Sequence, residues 1–276
     1  MEYDTQLNRL PGLPRLREYM RLSTGVQGLD ELIGGGYIRD RVYIVCGPPG
    51  SGKTTLALQF LLEGALSGER GLFVSMIEVP ENIIADFSTY GKGLRNAVQE
   101  GVIRFVDFAP ETLLESDSDE IPAFTSMGRG GTPELESLLS RMEKDYVMLS
   151  SDLLRSLLNQ VSVHKAKRLV IDSAIAIKFG GGDEKQQVRE MIRFIRGLKD
   201  IGCTTLLISE LIQPDAYAAE HFISHGVIFL HNYLDKGKMR RSIQIVKMKG
   251  TGHDTDLHKL SFSKRGLQVG NASGIE

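Results

Sequence analysis

Apolar residues gather in short runs at 41–46, 71–76, 102–108, 168–171, 203–209 and 226–230, each bounded by polar or glycine-containing stretches. Runs of that length rich in Val, Ile and Phe predict buried strands rather than helices. Between the first two, residues 54–66 place Leu56, Ala57, Phe60, Leu61 and Ala65 at helical spacing and stop before Gly68, a helix with a glycine end. Further helices are predicted at 80–90, at 133–163 with a break near Asp145, and at 184–198. Strands alternating with helices call for a mostly parallel central sheet flanked by helices, an α/β fold. The pattern changes after Arg240: runs at 240–248 and 258–262 surround Gly250-Thr251-Gly252 and predict antiparallel strands appended to the parallel core.

With 276 residues and 41% hydrophobic content, the chain can bury one sizeable core. A single domain over 22–276 is expected, after an N-terminal extension at 1–21. The stretch 111–132 mixes Glu111, Glu115, Asp117, Asp119 and Glu120 with Gly128, Gly130 and Gly131, and reads as an acidic surface insertion. Lys plus Arg total 33 against 35 Asp plus Glu, a net charge of −2, so no global positive field draws the protein to nucleic acid or anionic lipid. The two cysteines, Cys46 and Cys203, sit inside apolar runs, which suits buried reduced thiols better than a disulfide or metal site. Residues 1–20 lack the apolar centre of a signal peptide, and no run approaches the ~20 apolar residues of a membrane helix. A soluble, cytoplasmic protein is expected.

The candidate chemistry lies directly after the first strand. Gly47-Pro48-Pro49-Gly50-Ser51-Gly52-Lys53-Thr54 satisfies the phosphate-loop pattern G-x-x-x-x-G-K-[ST] and opens the predicted helix. Gly47, Gly50 and Gly52 let the backbone curl so that successive N–H groups, Ser51's included, face phosphate oxygens, and the helix start adds positive partial charge. Lys53 is placed to neutralise the outer phosphates of ATP, Thr54 to offer its hydroxyl to Mg²⁺, and Thr55 to touch the α-phosphate. A second piece, Arg168-Leu169-Val170-Ile171-Asp172, is an apolar strand ending in a carboxylate; Asp172 is the candidate for ordering Mg²⁺.

Together with these residues, Ser23-Thr24-Gly25-Val26-Gln27-Gly28-Leu29-Asp30-Glu31-Leu32-Ile33-Gly34-Gly35-Gly36 and Thr54-Thr55-Leu56-Ala57-Leu58-Gln59-Phe60 resemble the KaiC-like branch of the RecA superfamily, from about Leu22 to Val269. The resemblance implies a RecA-like P-loop ATPase fold. Lys247-Met248-Lys249-Gly250-Thr251-Gly252-His253 resembles the family's K-[LM]-R-G-T-x-H segment, which implies that Lys247 and Lys249 reach ATP held by a neighbouring subunit. Lys249 stands where arginine is usual and delivers a point charge without a bidentate fork. The implied assembly is a homo-hexamer with nucleotide at its subunit interfaces.

The sequence departs from that family at Ile77, where the first of two adjacent glutamates is usual. Isoleucine neither accepts a proton nor orients water, so hydrolysis rests on Glu78 or another carboxylate, or is slow. Glu78 also suits a plain role as a helix N-terminal charge before Pro80. Ser209-Glu210 resembles the family's segment that senses the γ-phosphate or links the nucleotide to the ring interior, and Glu210 equally suits a plain salt-bridged surface position. His221, His225 and His231 complete no recognisable metal-ligand set. Tyr37 and Tyr217 are aromatic candidates for stacking on a base, and no pattern selects either.

Three functions compete: an ATP-binding, slowly hydrolysing regulatory ring acting on an unnamed protein partner, with autokinase or partner-kinase activity open to it; a RecA-like DNA-dependent ATPase; and a non-hydrolysing nucleotide-gated scaffold. The loops at 178–187 and 212–221, which would face nucleic acid, hold Lys178 and Lys185 against Asp183, Glu184, Asp215 and Glu220, which argues against DNA. The basic run Lys236-Gly237-Lys238-Met239-Arg240-Arg241 suits a solvated hairpin turn.

Overall fold

The computed structural model describes residues 20–90, 93–108, 150–174, 177, 184–210 and 219–272. The first elements are β1 (Arg21–Leu22), α1 (Leu29–Leu32) and β2 (Tyr37–Ile38), with β1 and β2 paired antiparallel as a small sheet. Next come β3 (Val42–Cys46), α2 (Lys53–Leu66), β4 (Gly71–Ser75), α3 (Pro80–Phe87), α4 (Gly93–Gln99) and β5 (Ile103–Asp107). The later part holds α5 (Ser150–His164), β6 (Arg168–Asp172), α6 (Glu184–Asp200), β7 (Thr204–Ser209) and α7 (Ala219–Ile223), then β8 (Gly226–Asp235), β9 (Lys238–Met248), β10 (His258–Ser263) and β11 (Gly266–Ala272).

The main sheet runs β11-β10-β9-β8-β3-β7-β6-β4-β5. Strands from β8 through β5 are parallel, and β9, β10 and β11 extend the sheet antiparallel, as the sequence pattern predicts. In β3 every residue is buried, and the two-residue period splits them: Tyr43 and Val45 join the core under α2, α3 and α4, while Val42, Ile44 and Cys46 join the core under α5 and α6. Burial on both faces explains why the strand reads as an unbroken apolar run.

A buried ion cluster fastens the lead-in to this sheet. Arg168 of β6 is 1% exposed; its Nε meets Glu69 Oε2 at 2.8 Å, and its Nη1 donates to Ser23 O at 2.9 Å and Phe60 O at 2.8 Å. Glu69 also receives Arg39 at 2.5 Å. Burial opposes the charge on Glu69, but the hydrogen bonds from Arg168 and Arg39 prevail and hold its carboxyl below the usual range. Gly64 makes room for this arginine, since a Cβ there would lie 2.5 Å from Arg168 Cδ.

Where the elements differ from the sequence reading, the reasons are local. β8 continues past Leu230 to Asp235, because residues such as His231 and Asn232 leave the core while the backbone keeps pairing with β9. The hairpin turn falls at Lys236 and Gly237, both at positive φ (46° and 77°), as a tight two-residue connection requires. The helix expected over 80–90 ends at Phe87 and gives way to a 3₁₀ turn, Ser88–Tyr90. Cys46 and Cys203 are buried thiols outside any disulfide, and burial pushes the Cys203 thiol up to about 12. The extension at 1–19, the acidic insertion and the break near Asp145 lie outside the described residues. Among the described residues, no helix is long and apolar enough to cross a membrane.

Candidate functional site

The loop 47–54 joins the carboxyl end of β3 to the start of α2. Gly47 has φ 146°, and a Cβ there would sit 2.1 Å from Leu230 O, so only glycine passes this strand. Gly52, at φ 105°, precedes α2, whose first turn has no side-chain cap. Amides left uncapped at a helix start form an anion-binding surface.

Lys53 is buried, and its Nζ donates to Gly47 O at 2.7 Å and Pro48 O at 3.1 Å. Burial lowers its pKa, while Glu210 and Asp172 pull the other way. The Thr54 hydroxyl donates to Asp172 Oδ2 at 2.8 Å, bringing the two expected Mg²⁺ residues together. Burial pushes the Asp172 carboxyl up to about 6; Thr54 and Lys53 oppose the shift, and the charges of Glu210 and Glu78 add to it. Ser51 Oγ is buried with no hydrogen-bond partner among the described residues.

The hairpin of β8 and β9 grips the loop from outside. Asn232 and Arg241 are direct cross-strand partners, and Asn232 Nδ2 donates to Pro49 O at 3.1 Å while Arg241 Nε donates to Gly50 O at 2.8 Å. The Arg241 guanidinium also lies 5.0 Å from the Phe262 ring, which stacks on Tyr90 at 5.9 Å and 25°. Tyr90 borders a cavity of about 250 Å³ that begins at Thr54 and Thr55 and is walled by Leu58, Ile83, Phe87 and Glu78. The sequence reading missed Tyr90, Phe262 and Arg241, which have no shared local pattern. Of the two tyrosines it considered, Tyr37 is fully buried against Tyr43 and Phe60, and Tyr217 lies outside the described residues.

Ile77 is 47% exposed, and Glu78 beside it is exposed at the cavity wall. The Ser75 hydroxyl donates to Glu78 O and fixes this turn. Val79 then caps α3 in an extended conformation with Pro80 in the first turn, so Glu78 stands just outside that helix. Glu210, exposed at the end of β7, acts on both Lys53 and Asp172 through its charge.

Lys247 and Lys249 lie elsewhere. Lys247 Nζ donates to His221 O and to Phe222 O (3.0 Å), and Lys249 Nζ donates to Phe222 O at 3.3 Å. These carbonyls belong to α7, which enters β8 where His225 N donates to Val42 O, at the amino edge of β3. The phosphate-loop pattern leaves β3 at the opposite edge, about 16 Å away at strand rise. Burial, with Lys249 and Lys199 nearby, brings Lys247 down to about 8. His225 packs edge-on against Tyr43, and burial followed by Arg41 and Lys249 lowers it to about 4. No metal-binding group of His, Cys, Asp or Glu occurs among the described residues.

A family model described as "ATPase: KaiC" matches residues 22–274. The chain belongs to the KaiC family. Curated KaiC-family relatives include the circadian clock oscillator protein KaiC of Prochlorococcus marinus (strain MIT 9313), 30% identical over 258 residues, which cover 91% of this chain and 46% of the relative. The protein of the same name from Synechococcus elongatus is 29% identical over 255 residues, covering 90% of this chain and 44% of its own length. This KaiC-family chain therefore spans a little under half the length of these relatives. A solved KaiC-like protein from the archaeon Pyrococcus horikoshii OT3 superposes with a TM-score of 0.69 at 27% identity, covering 92% of this chain and all of the other. The fold is the RecA-type fold of KaiC-like proteins.

Proposed function

We propose that this chain binds ATP with Mg²⁺ at the loop 47–54 and the adjoining cavity, hydrolyses it slowly, and acts as a regulatory ring, a homo-hexamer with nucleotide at each subunit boundary. The observation that carries the reading is the convergence of Lys53, Thr54 and Asp172 at the carboxyl edge of the parallel strands, beside an uncapped helix start. The residues suit the nucleotide: Gly47, Gly50, Ser51, Gly52, Lys53, Thr54 and Thr55 bind phosphate, and Tyr90 and Phe262 offer aromatic surface for the base next to Thr55. Thr54 and Asp172 would hold Mg²⁺, which supplies neutralisation of phosphate charge.

Within that arrangement, Lys53 leaves the loop carbonyls for the outer phosphates, and the loop glycines keep the backbone N–H groups aimed inward. Glu78 orients the attacking water and accepts its proton. Lys247 and Lys249, at the edge opposite their own loop, serve the nucleotide of a neighbouring subunit. Nucleotide occupancy then alters packing between subunits and so the binding of a protein partner; autokinase or partner-kinase activity would draw on the same γ-phosphate. We place the protein in the cytoplasm.

A second reading, a nucleotide-gated scaffold without useful turnover, is favoured by one observation, the exposed Ile77 where the family usually carries a glutamate. ATP turnover with Mg²⁺, measured beside Lys53→Ala and Glu78→Gln, decides between them. Turnover abolished in both variants supports hydrolysis with Glu78 as base. Tight binding without turnover in the parent protein leaves the scaffold, and absence of nucleotide binding overturns both.

A further inference from the structure

Three lysines converge on one turn of backbone. Lys247 donates to the carbonyls of His221 and Phe222, Lys249 to Phe222, and Lys199 of α6 to Ile223 O at 2.9 Å. These are successive carbonyls at the C-terminal end of α7, where a helix leaves its acceptors unsatisfied and carries negative partial charge. A five-residue helix is too short to hold itself together and depends on such outside partners. Ser224 Oγ adds a bond to His221 O, and His225 N is tied into the sheet through Val42 O, so α7 itself is the part that can loosen.

The lysines are crowded. Among the charges acting on Lys247 and its neighbour Lys199 are Lys249, Arg41 and Arg196, with Asp200 opposing them at Lys199. Backbone carbonyls offer only partial charge, so an approaching phosphate is the stronger acceptor for these ammonium groups. The side chain of Phe222, on the same turn, is 68% exposed, which suits a surface that meets protein rather than water alone.

We propose that the C-terminal turn of α7 is a resting dock for Lys247 and Lys249, and that nucleotide phosphate in a second copy of this chain draws the two lysines off it and loosens α7. This deepens the functional reading above and rests on it. It makes α7 a reporter, and a regulator, of whether the adjoining subunit is loaded: with the lysines withdrawn the helix loses three of its bonds, and restoring them returns the lysines to rest. Coupling of this kind runs both ways, so a partner that orders α7 would weaken nucleotide binding next door.

Hydrogen–deuterium exchange of the full chain, read on peptides spanning 219–225 with and without a non-hydrolysable ATP analogue and Mg²⁺, tests it. The expected result is exchange at least ~5-fold faster on loading, since local opening follows the loss of capping bonds. Lys53→Ala, which does not load, stays slow; Lys247→Met with Lys249→Met exchanges fast in either condition. Slowed or unchanged exchange in protein shown by calorimetry to bind the analogue overturns the dock and leaves the functional reading standing. Failure of the parent to bind the analogue overturns both.

Discussion

Thr54 opens α2 and Asp172 ends β6, and the Thr54 hydroxyl donates to Asp172 Oδ2 at 2.8 Å. The two strands concerned, β3 and β6, both border β7, so the carboxyl ends of all three reach one edge together. Removing the charge while keeping the shape isolates its role: Asp172→Asn is expected to weaken Mg²⁺-dependent nucleotide binding about 10- to 100-fold, in line with loss of a metal-site partner. Calorimetric titration with Mg²⁺ and with a chelator checks this, because binding without the metal stays within a few-fold of the parent.

Protonation reaches the same bond. The folded Asp172 carboxyl titrates near 6, above its ordinary 3.8, with burial as the main cause. Its protonated form therefore adds stability that is complete below the ordinary value and is lost as pH rises through about 6. Metal binding runs in the opposite sense, since it needs the carboxylate. Mg²⁺-dependent affinity should fall by up to about tenfold per pH unit below about 6 and level off above it, and Asp172→Asn should flatten that slope.

The stacked pair Tyr90 and Phe262 beside the cavity at Thr55 is the aromatic surface proposed above for the base. Tyr90→Ala should cost about 0.5–1.5 kcal/mol of adenine-nucleotide affinity and leave inorganic triphosphate unaffected. Competition between the two ligands for the loop measures the difference. Equal losses for both would place the base elsewhere.

Ile77 offers a gain-of-function test. Being exposed, it tolerates Ile77→Glu with a stability change within about 0.5 kcal/mol. If a second carboxylate helps orient water, turnover should rise at least about tenfold. Steady-state phosphate release checks the rate, and thermal unfolding checks the stability.

Arg168 is a stability element rather than a catalytic one. Glu69→Gln leaves the buried guanidinium without its counter-charge and should destabilise the fold by about 3–5 kcal/mol. Gly64→Ala, which drives a methyl against Arg168 Cδ, should cost about 1–3 kcal/mol. Denaturant unfolding measures both.

The phosphate loop was legible because its chemistry is contiguous: Gly47, Gly52 and Lys53 must follow one another between a strand and a helix, and the apolar period announces both. Asp172 was legible for a similar reason, as the polar end of the run Leu169-Val170-Ile171. Tyr90, Phe262 and Arg241 come from three separate elements, and each reads locally as an ordinary aromatic or surface cation; only tertiary folding makes them a stack. The same holds for Lys247, whose place opposite its own loop depends on β9 running antiparallel to β8. The far half of β8 is not legible because His231 to Asp235 follow no two-residue apolar period, Tyr233 and Leu234 being adjacent and exposed, while backbone pairing with β9 continues.

The β8–β9 hairpin has two working ends. Arg241 and Asn232 hold the loop 47–54 at one end, and Lys247 lies at the other, about 20 Å away along β9. Backbone pairing with β8 along this length holds the two ends at a fixed spacing. The irregularity between Val227 and Ile228 lies inside this span, and irregularities of this kind bend and twist the strand that carries them, so the angle between the two ends is set there.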